Sequence, residues 1–134
     1  MLKKNASSVF WLSIFLGIPI YLWIWSIGTQ LQSDKVKVNE IKLILFKISV
    51  IYPIAYFVFA IYYMFTNGWI IEPLHFVAMF CTLYAMIFAA KTIKSAELEK
   101  EAKVSDYLGD FFLVWFFPIG IWILQPRIHK LIDK

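Results

Sequence analysis

Residues 107–127 read YLGDFFLVWFFPIGIWILQPR, an apolar run with an acidic residue at Asp110, a break at Pro118-Ile119-Gly120 and a basic residue, Arg127, at its end. About 20 apolar residues are enough to cross a bilayer as a helix, so we expect a transmembrane helix over 107–124. The alternative is a re-entrant hairpin that turns back at the break. We prefer the full span, because non-helical backbone at membrane depth must be covered by protein.

Three other stretches have the length and apolar character of membrane helices, at about 8–27, 41–66 and 70–90. The segment after them, 91–103, reads KTIKSAELEKEAK and is charged and helix-prone. The sequence therefore predicts an all-α integral membrane bundle of about four transmembrane helices, with a helical charged extension at 91–103. No loop is long enough to fold independently, so residues 1–134 form a single polytopic membrane domain.

The composition excludes an ordinary soluble domain. The chain is 61% hydrophobic and 16% charged, whereas soluble domains are about half apolar and a quarter charged. The net charge of +4 comes from lysines beside apolar spans, which favours anionic lipid headgroups over nucleic acid as the partner. The lone cysteine, Cys81, allows no disulfide within the chain.

The first span has an alternative interpretation as a signal peptide, because Lys3 and Lys4 precede it. Its apolar part is longer than the usual hydrophobic region, which favours a retained helix. With four spans, five basic residues lie on the side that bears the termini and seven or eight on the other side, which weakly favours the other side as cytoplasmic. With a re-entrant last segment, only Lys3 and Lys4 of the 13 basic residues would lie on the N-terminal side, and the other side would be cytoplasmic.

The third span carries a stripe of small residues at helical spacing. Helices in lipid associate through close packing of such residues. We therefore predict a helix-packing seam along this face, formed by Ala78, Thr82, Ala85 and Ala89.

Few residues could carry chemistry within the membrane. Glu72 and His75 lie on one face of the third helix. In a four-span bundle, Arg127 and His129 reach the same side. We predict a candidate polar site from these four residues, for a proton, a metal ion or a lipid headgroup. A Glu72–Arg127 ion pair that locks the helix ends together is the simpler interpretation.

A second pair of charges would meet at a similar depth on the opposite side. Lys47 lies about two turns inside the second span, and Asp110 lies inside the fourth. Either charge alone would be costly there. We therefore predict an intramembrane Lys47–Asp110 ion pair, with a proton-coupled carboxylate as the alternative.

Residues 111–131, about a sixth of the chain, resemble the C-terminal end of small bacterial membrane proteins of a Bacteroidetes type. The resemblance implies a bacterial inner membrane and no particular activity. It is carried by Phe117, Pro118, Gly120, Trp122, Gln125, Pro126 and Arg127.

No phosphate-binding loop, nucleophile elbow, metal motif or nucleic-acid module is present in the sequence. We therefore expect no cofactor and no catalytic metal, and a non-enzymatic role is favoured. The first hypothesis is a multi-pass inner-membrane protein with a structural or accessory role, working through a membrane-protein partner or a homo-oligomer in the lipid bilayer. A small oligomeric channel or transporter is the alternative. A lipid-acting enzyme using Glu72, His75 and Arg127 is the second alternative.

Overall fold

The computed structural model describes residues 5–9, 11, 18–32, 38–67 and 72–133. Within these ranges all regular structure is helical, which confirms the all-α prediction. Residues 6–9 and 11 are helical. The helices that follow are α1 (Ile18–Gln30), α2 (Glu40–Asn67), α3 (Glu72–Leu98), α4 (Val104–Trp115) and α5 (Phe117–Ile132).

The two long helices, α2 and α3, form the frame of the molecule. They contain 28 and 27 residues, which corresponds to about 40 Å each. Both are long and apolar enough to cross a membrane. They pack together, and α3 also contacts α1, α4 and α5. Each of the helices α1, α2, α4 and α5 therefore contacts α3.

The last apolar segment is two helices that fold back on each other. Asp110 and Arg127 would lie about 25 Å apart in one straight helix, yet their side chains form an ion pair of 2.7 Å between Oδ1 and Nη1. The prediction of a single span over 107–124 is therefore wrong, and the chain reverses as in the hairpin alternative. Only Phe116 separates α4 from α5.

The reversal has a local cause in the sequence. Phe116 leaves the helical region with φ −87° and ψ 58°. Pro118 lies in the first turn of α5. Backbone N–H groups in a first turn have no helical acceptor, so proline costs no hydrogen bond there. Gly120 lies so close to the backbone of Leu113 that an added Cβ would overlap the Leu113 carbonyl. The two helices therefore approach so closely that only glycine fits at position 120 without a steric clash.

The charged extension is helical only in its first part. The sequence predicts a helix over 91–103, but α3 ends at Leu98 and Glu99 has a φ of 54°. The backbone N–H of Ala102 then donates to the buried Ser95 hydroxyl at 3.0 Å. At the start of α4, the Asp106 carboxylate accepts the N–H of Lys103 at 2.9 Å. These two bonds fold 99–103 into a compact loop instead of a projecting helix.

The buried core lies in the half of the bundle next to this loop. We call this half the loop end, and we call the opposite half, where α2 ends and α3 begins, the far end. α1 contributes Trp23 and Ile27 to the core, α2 contributes Phe46, and Val9 is buried in the same cluster. The Phe46 ring stacks on Phe88 with centroids 4.4 Å apart.

The predicted first span, 8–27, is described only in part. α1 begins at Ile18 and continues to Gln30. Residues 10 and 12–17 lie outside the described part of the chain, as do residues 68–71 between α2 and α3.

The close approach at Gly120 predicts an asymmetry between two glycines of the hairpin. Gly120→Ala should destabilise the protein by at least about 2 kcal/mol, because the new methyl group overlaps backbone that cannot move aside. Gly109→Ala is the matched control in α4, where an added Cβ meets nothing within 4 Å. It should stabilise the protein by up to about 1 kcal/mol through helix propensity. Reversible unfolding in detergent measures both, and equal effects would contradict this hairpin geometry.

Candidate functional site

Arg127 bridges two carboxylates from different helices. Its Nε and Nη2 atoms donate to the two Glu97 carboxylate oxygens at 2.7 and 2.6 Å. Its Nη1 and Nη2 atoms donate to the two Asp110 carboxylate oxygens at 2.7 and 3.1 Å. We call Arg127, Glu97 and Asp110 the arginine clamp. It ties α5 to the end of α3 and to the middle of α4.

The arginine clamp is partly shielded from solvent, and its positive and negative charges balance once Lys94 is included. The Asp110 side chain retains 8% of its accessible surface, and those of Glu97 and Arg127 retain 23% and 28%. Lys94 lies 3.5 Å from Glu97, so two positive charges face two negative ones. A partly buried carboxylate needs such compensation, because desolvation otherwise disfavours its charged form.

A second polar contact involves Gln125, two residues before Arg127 on α5. The Trp23 indole N–H donates to the Gln125 side-chain oxygen at 2.8 Å, and both residues are fully buried. The Gln125 amide nitrogen also lies 3.4 Å from His129 Nε2. This contact joins α1 to α5, so polar bonds at the loop end connect α1, α3, α4 and α5.

The 99–103 loop is held to α3 by an ion pair at the surface. Lys91 Nζ lies 2.6 Å from a Glu101 carboxylate oxygen. This hydrogen bond and the lysine charge hold the pKa of the Glu101 carboxyl below its usual value. The pair is exposed, and exposed pairs contribute little to stability.

The predicted polar site of Glu72, His75, Arg127 and His129 does not form. Glu72 and His75 are exposed at the far end, in the first turns of α3. Arg127 binds Glu97, which lies 25 positions after Glu72 on α3, or about 38 Å along the helix. The prediction is wrong because α5 returns to the loop end instead of crossing to the far end. The proposed Glu72–Arg127 ion pair is excluded for the same reason.

The predicted Lys47–Asp110 pair does not form either: α2 and α4 make no substantial contact, and the Asp110 carboxylate binds Arg127 instead. The charge compensation required at Asp110 is present, but it comes from the next helix along the chain. Lys47 remains partly exposed on α2.

The small-residue stripe on α3 lies against its neighbours. Ala85 and Ala89 are fully buried, and Ala78 is nearly so. The Thr82 hydroxyl lies 3.2 Å from the Tyr21 hydroxyl on α1. On the other face of α3, Phe76 and Phe80 are exposed.

The arginine clamp is suited to holding helices together and has no obvious means of catalysis. Four of the five guanidinium N–H groups are used by the two carboxylates, and no nucleophile belongs to the cluster. Across the described ranges, no group of three or more His, Cys, Asp or Glu side chains is arranged to hold a metal ion.

Sequence reasoning missed Glu97, Trp23 and Gln125 as partners. A signal for the clamp was present in the sequence. Asp110 and Arg127 carry opposite charges on either side of the Pro118-Ile119-Gly120 break, and a reversal there brings them together. Nothing in the spacing pointed to Glu97, which lies in the segment predicted to be a helical charged extension.

No protein-family model, curated protein or solved structure matches the chain. Functional inference therefore rests on the geometry of the molecule.

The arginine clamp predicts that its members act as a unit. Arg127→Ala should destabilise the protein by about 2–3 kcal/mol, below the ~3–5 kcal/mol of a fully buried pair because the side chain is partly exposed. Arg127→Ala leaves the Asp110 carboxylate buried without a partner. Adding Asp110→Ala removes that carboxylate, so the double variant should recover part of the lost stability. Unfolding in detergent measures the single and double variants.

Lys100→Ala is the control, with an expected change below about 0.5 kcal/mol, since Lys100 is exposed in the loop and forms none of the ion pairs seen among the described residues. Strict additivity of the Arg127 and Asp110 substitutions would contradict the clamp.

Proposed function

We propose that the chain is a small multi-pass inner-membrane protein with a structural or accessory role, anchored by α2 and α3 and completed by the α4–α5 re-entrant hairpin. The observation that carries this proposal is the exposed apolar surface of the two long helices. Only 22% and 39% of their most apolar windows are buried. The core helix of a soluble protein would be mostly buried, so these faces are suited to lipid or to another membrane helix.

The distribution of charge supports the same proposal. The sequence contains no lysine or arginine between Ile48 and Ala90. The basic residues at the loop end come from four different segments, and their clustering favours a cytoplasmic loop end. They are Lys42, Lys91, Lys94, Lys100, Lys103, Arg127 and Lys130.

The bacterial inner membrane is proposed from the resemblance of residues 111–131 to small bacterial membrane proteins. Within that membrane, the two short helices of the hairpin would enter from the loop end and return to it. α4 has 12 residues, about 18 Å, which is too short to cross the ~30 Å hydrocarbon core. The cover that such a hairpin requires is supplied by α3, which packs against α4 along the core.

The accessory role is supported by the free surface at the far end. Around the α2–α3 turn, exposed apolar side chains include Tyr62, Phe65, Phe76 and Phe80. α4 and α5 return to the loop end instead of reaching this region, so a second copy or a partner helix could pack there. The enzyme alternative depended on Glu72, His75 and Arg127 meeting, and their separation leaves it without a site.

A crosslinking experiment in cells tests this role. A photoreactive amino acid at Phe80, which is 65% exposed at the far end, should give a protein adduct of discrete mass. A homo-oligomer gives twice the monomer mass, and a partner gives another fixed value. Ile119, equally exposed on the hairpin, provides the matched control position and should give lipid adducts.

Resistance of the full chain to alkaline carbonate extraction establishes membrane integration in the same cells. Lipid adducts alone at Phe80, from an integrated protein, would contradict the accessory role. Release by carbonate would contradict the membrane anchor itself.

A further inference from the structure

A cavity of about 300 Å³ lies at the loop end, between the start of α2 and the second half of α3. Its volume is at the lower limit of small-molecule sites. One part of its wall is apolar and includes Tyr84 and Ile87 on α3. The other part is charged, and it is formed by Lys42 on α2, Lys91 on α3 and Glu101 in the 99–103 loop.

The two parts of the wall lie at different depths along α3. Between Glu72 and Lys91 the sequence contains no Asp, Glu, Lys or Arg. These two charges are 19 positions apart, or about 28 Å along the helix axis, which matches a hydrocarbon core about 30 Å thick. In a membrane-spanning α3, Lys91 therefore lies at the level of the lipid headgroups. Tyr84 precedes it by two helical turns and lies about 10 Å deeper, at the level of the acyl chains.

The charged part of the wall has one positive charge in excess. Lys91 donates to Glu101 at 2.6 Å, whereas Lys42 forms none of the ion pairs between described residues. Lys42 nevertheless acts at the same place, because its charge adds to the effect of Lys91 in lowering the pKa of the Glu101 carboxyl. Glu40, in the first turn of α2, is exposed and does not line the cavity. Two lysines and one glutamate favour a ligand with a negative charge.

Both parts of the wall are accessible to a ligand from outside the molecule. Lys42 is exposed, and the Lys91 side chain retains 33% of its accessible surface beside Glu101. An ammonium group has three N–H donors, so Lys91 keeps donors for a ligand while it binds Glu101. In the apolar part, Ile87 is 39% exposed. A molecule in the cavity therefore meets a cationic group and an apolar surface together.

We propose that this cavity binds an anionic phospholipid, with its phosphodiester between Lys42 and Lys91 and one acyl chain along Tyr84 and Ile87. The inference rests on the membrane location proposed above. The cavity holds the headgroup and the first carbons of the chain, and the rest of the lipid stays in the bilayer. A soluble phosphodiester would leave the apolar part of the wall unfilled, and a lipid without net charge would leave the excess positive charge unpaired.

Lipid binding to the purified full chain in dodecylmaltoside micelles tests the proposal, with bound lipid counted by native mass spectrometry. One probe is dioleoylphosphatidylglycerol, which carries one negative charge. The other is dioleoylphosphatidylcholine, which has the same chains and a phosphodiester but no net charge. The anionic lipid should bind saturably at one site, about five-fold more tightly than the zwitterionic lipid, the effect of one lysine charge near a membrane surface.

Substitution of the uncompensated lysine tests the location of this site. Lys42→Gln should weaken phosphatidylglycerol binding about five-fold, and it should leave the fold intact because Lys42 is exposed. Lys47→Gln is the matched control, because it removes the same charge from the same helix at a position that does not line the cavity. It should leave the affinity unchanged.

A headgroup without acyl chains distinguishes a lipid site from a site for soluble phosphodiesters. Glycerophosphoglycerol has the phosphodiester and the charge of phosphatidylglycerol but no apolar part. It should fail to displace the lipid when the two are present at equal concentration. Effective displacement would overturn the proposal, because the apolar part of the wall would then contribute nothing to binding.

Equal affinities for the two lipids would also overturn the proposal, as would the absence of a saturable site. Equal losses in Lys42→Gln and Lys47→Gln would overturn it by reducing the effect to a general attraction between lysines and anionic lipid. Carbonate extraction of the same protein reports on the membrane anchor separately. A failed binding experiment with an integrated protein therefore leaves the proposed location intact.

Discussion

Arg127 binds Glu97 and Asp110, which lie on two other helices, and the arrangement of the C-terminal third depends on this contact. The contact requires α5 to run back beside α4, because a straight helix would separate Asp110 from Arg127 by about 25 Å. Pro118 and Gly120 make the reversal sterically feasible, and the arginine clamp fixes its register. A local break in the helix and a long-range ion pair therefore specify the same geometry, and agreement of this kind favours one structure over its competitors.

The reversal gives the molecule two unlike ends. At the loop end, polar bonds connect α1, α3, α4 and α5 around a buried core. At the far end, α2 and α3 carry exposed apolar side chains. A larger cavity, of about 440 Å³, lies where these regions meet, and residues of α1, α2, α3 and α4 line it. The exposed apolar surface of α2 and α3 follows from their length relative to α4 and α5.

Helix type and approximate position could be predicted from the sequence, because apolar run length is a direct physical constraint on chains in lipid. The α2 and α3 segments were located to within a few residues. The path of 107–124 was not, because Pro118 and Gly120 are compatible with either a kinked span or a reversal, and tertiary contacts decide between them. Placing Arg127 at the wrong end then separated it from Glu97 and Asp110.

The side of the membrane on which the C-terminal tail lies is the most direct test of this account. Single cysteines at Lys100, Asp133 and Thr66, in a Cys81→Ser background, can be labelled with an impermeant maleimide in spheroplasts and in inverted vesicles. The α4–α5 reversal predicts that positions 100 and 133 react from the same side, and that position 66 reacts from the other. Labelling of position 133 together with position 66, opposite to position 100, would show that the last segment crosses the membrane and would contradict the reversal.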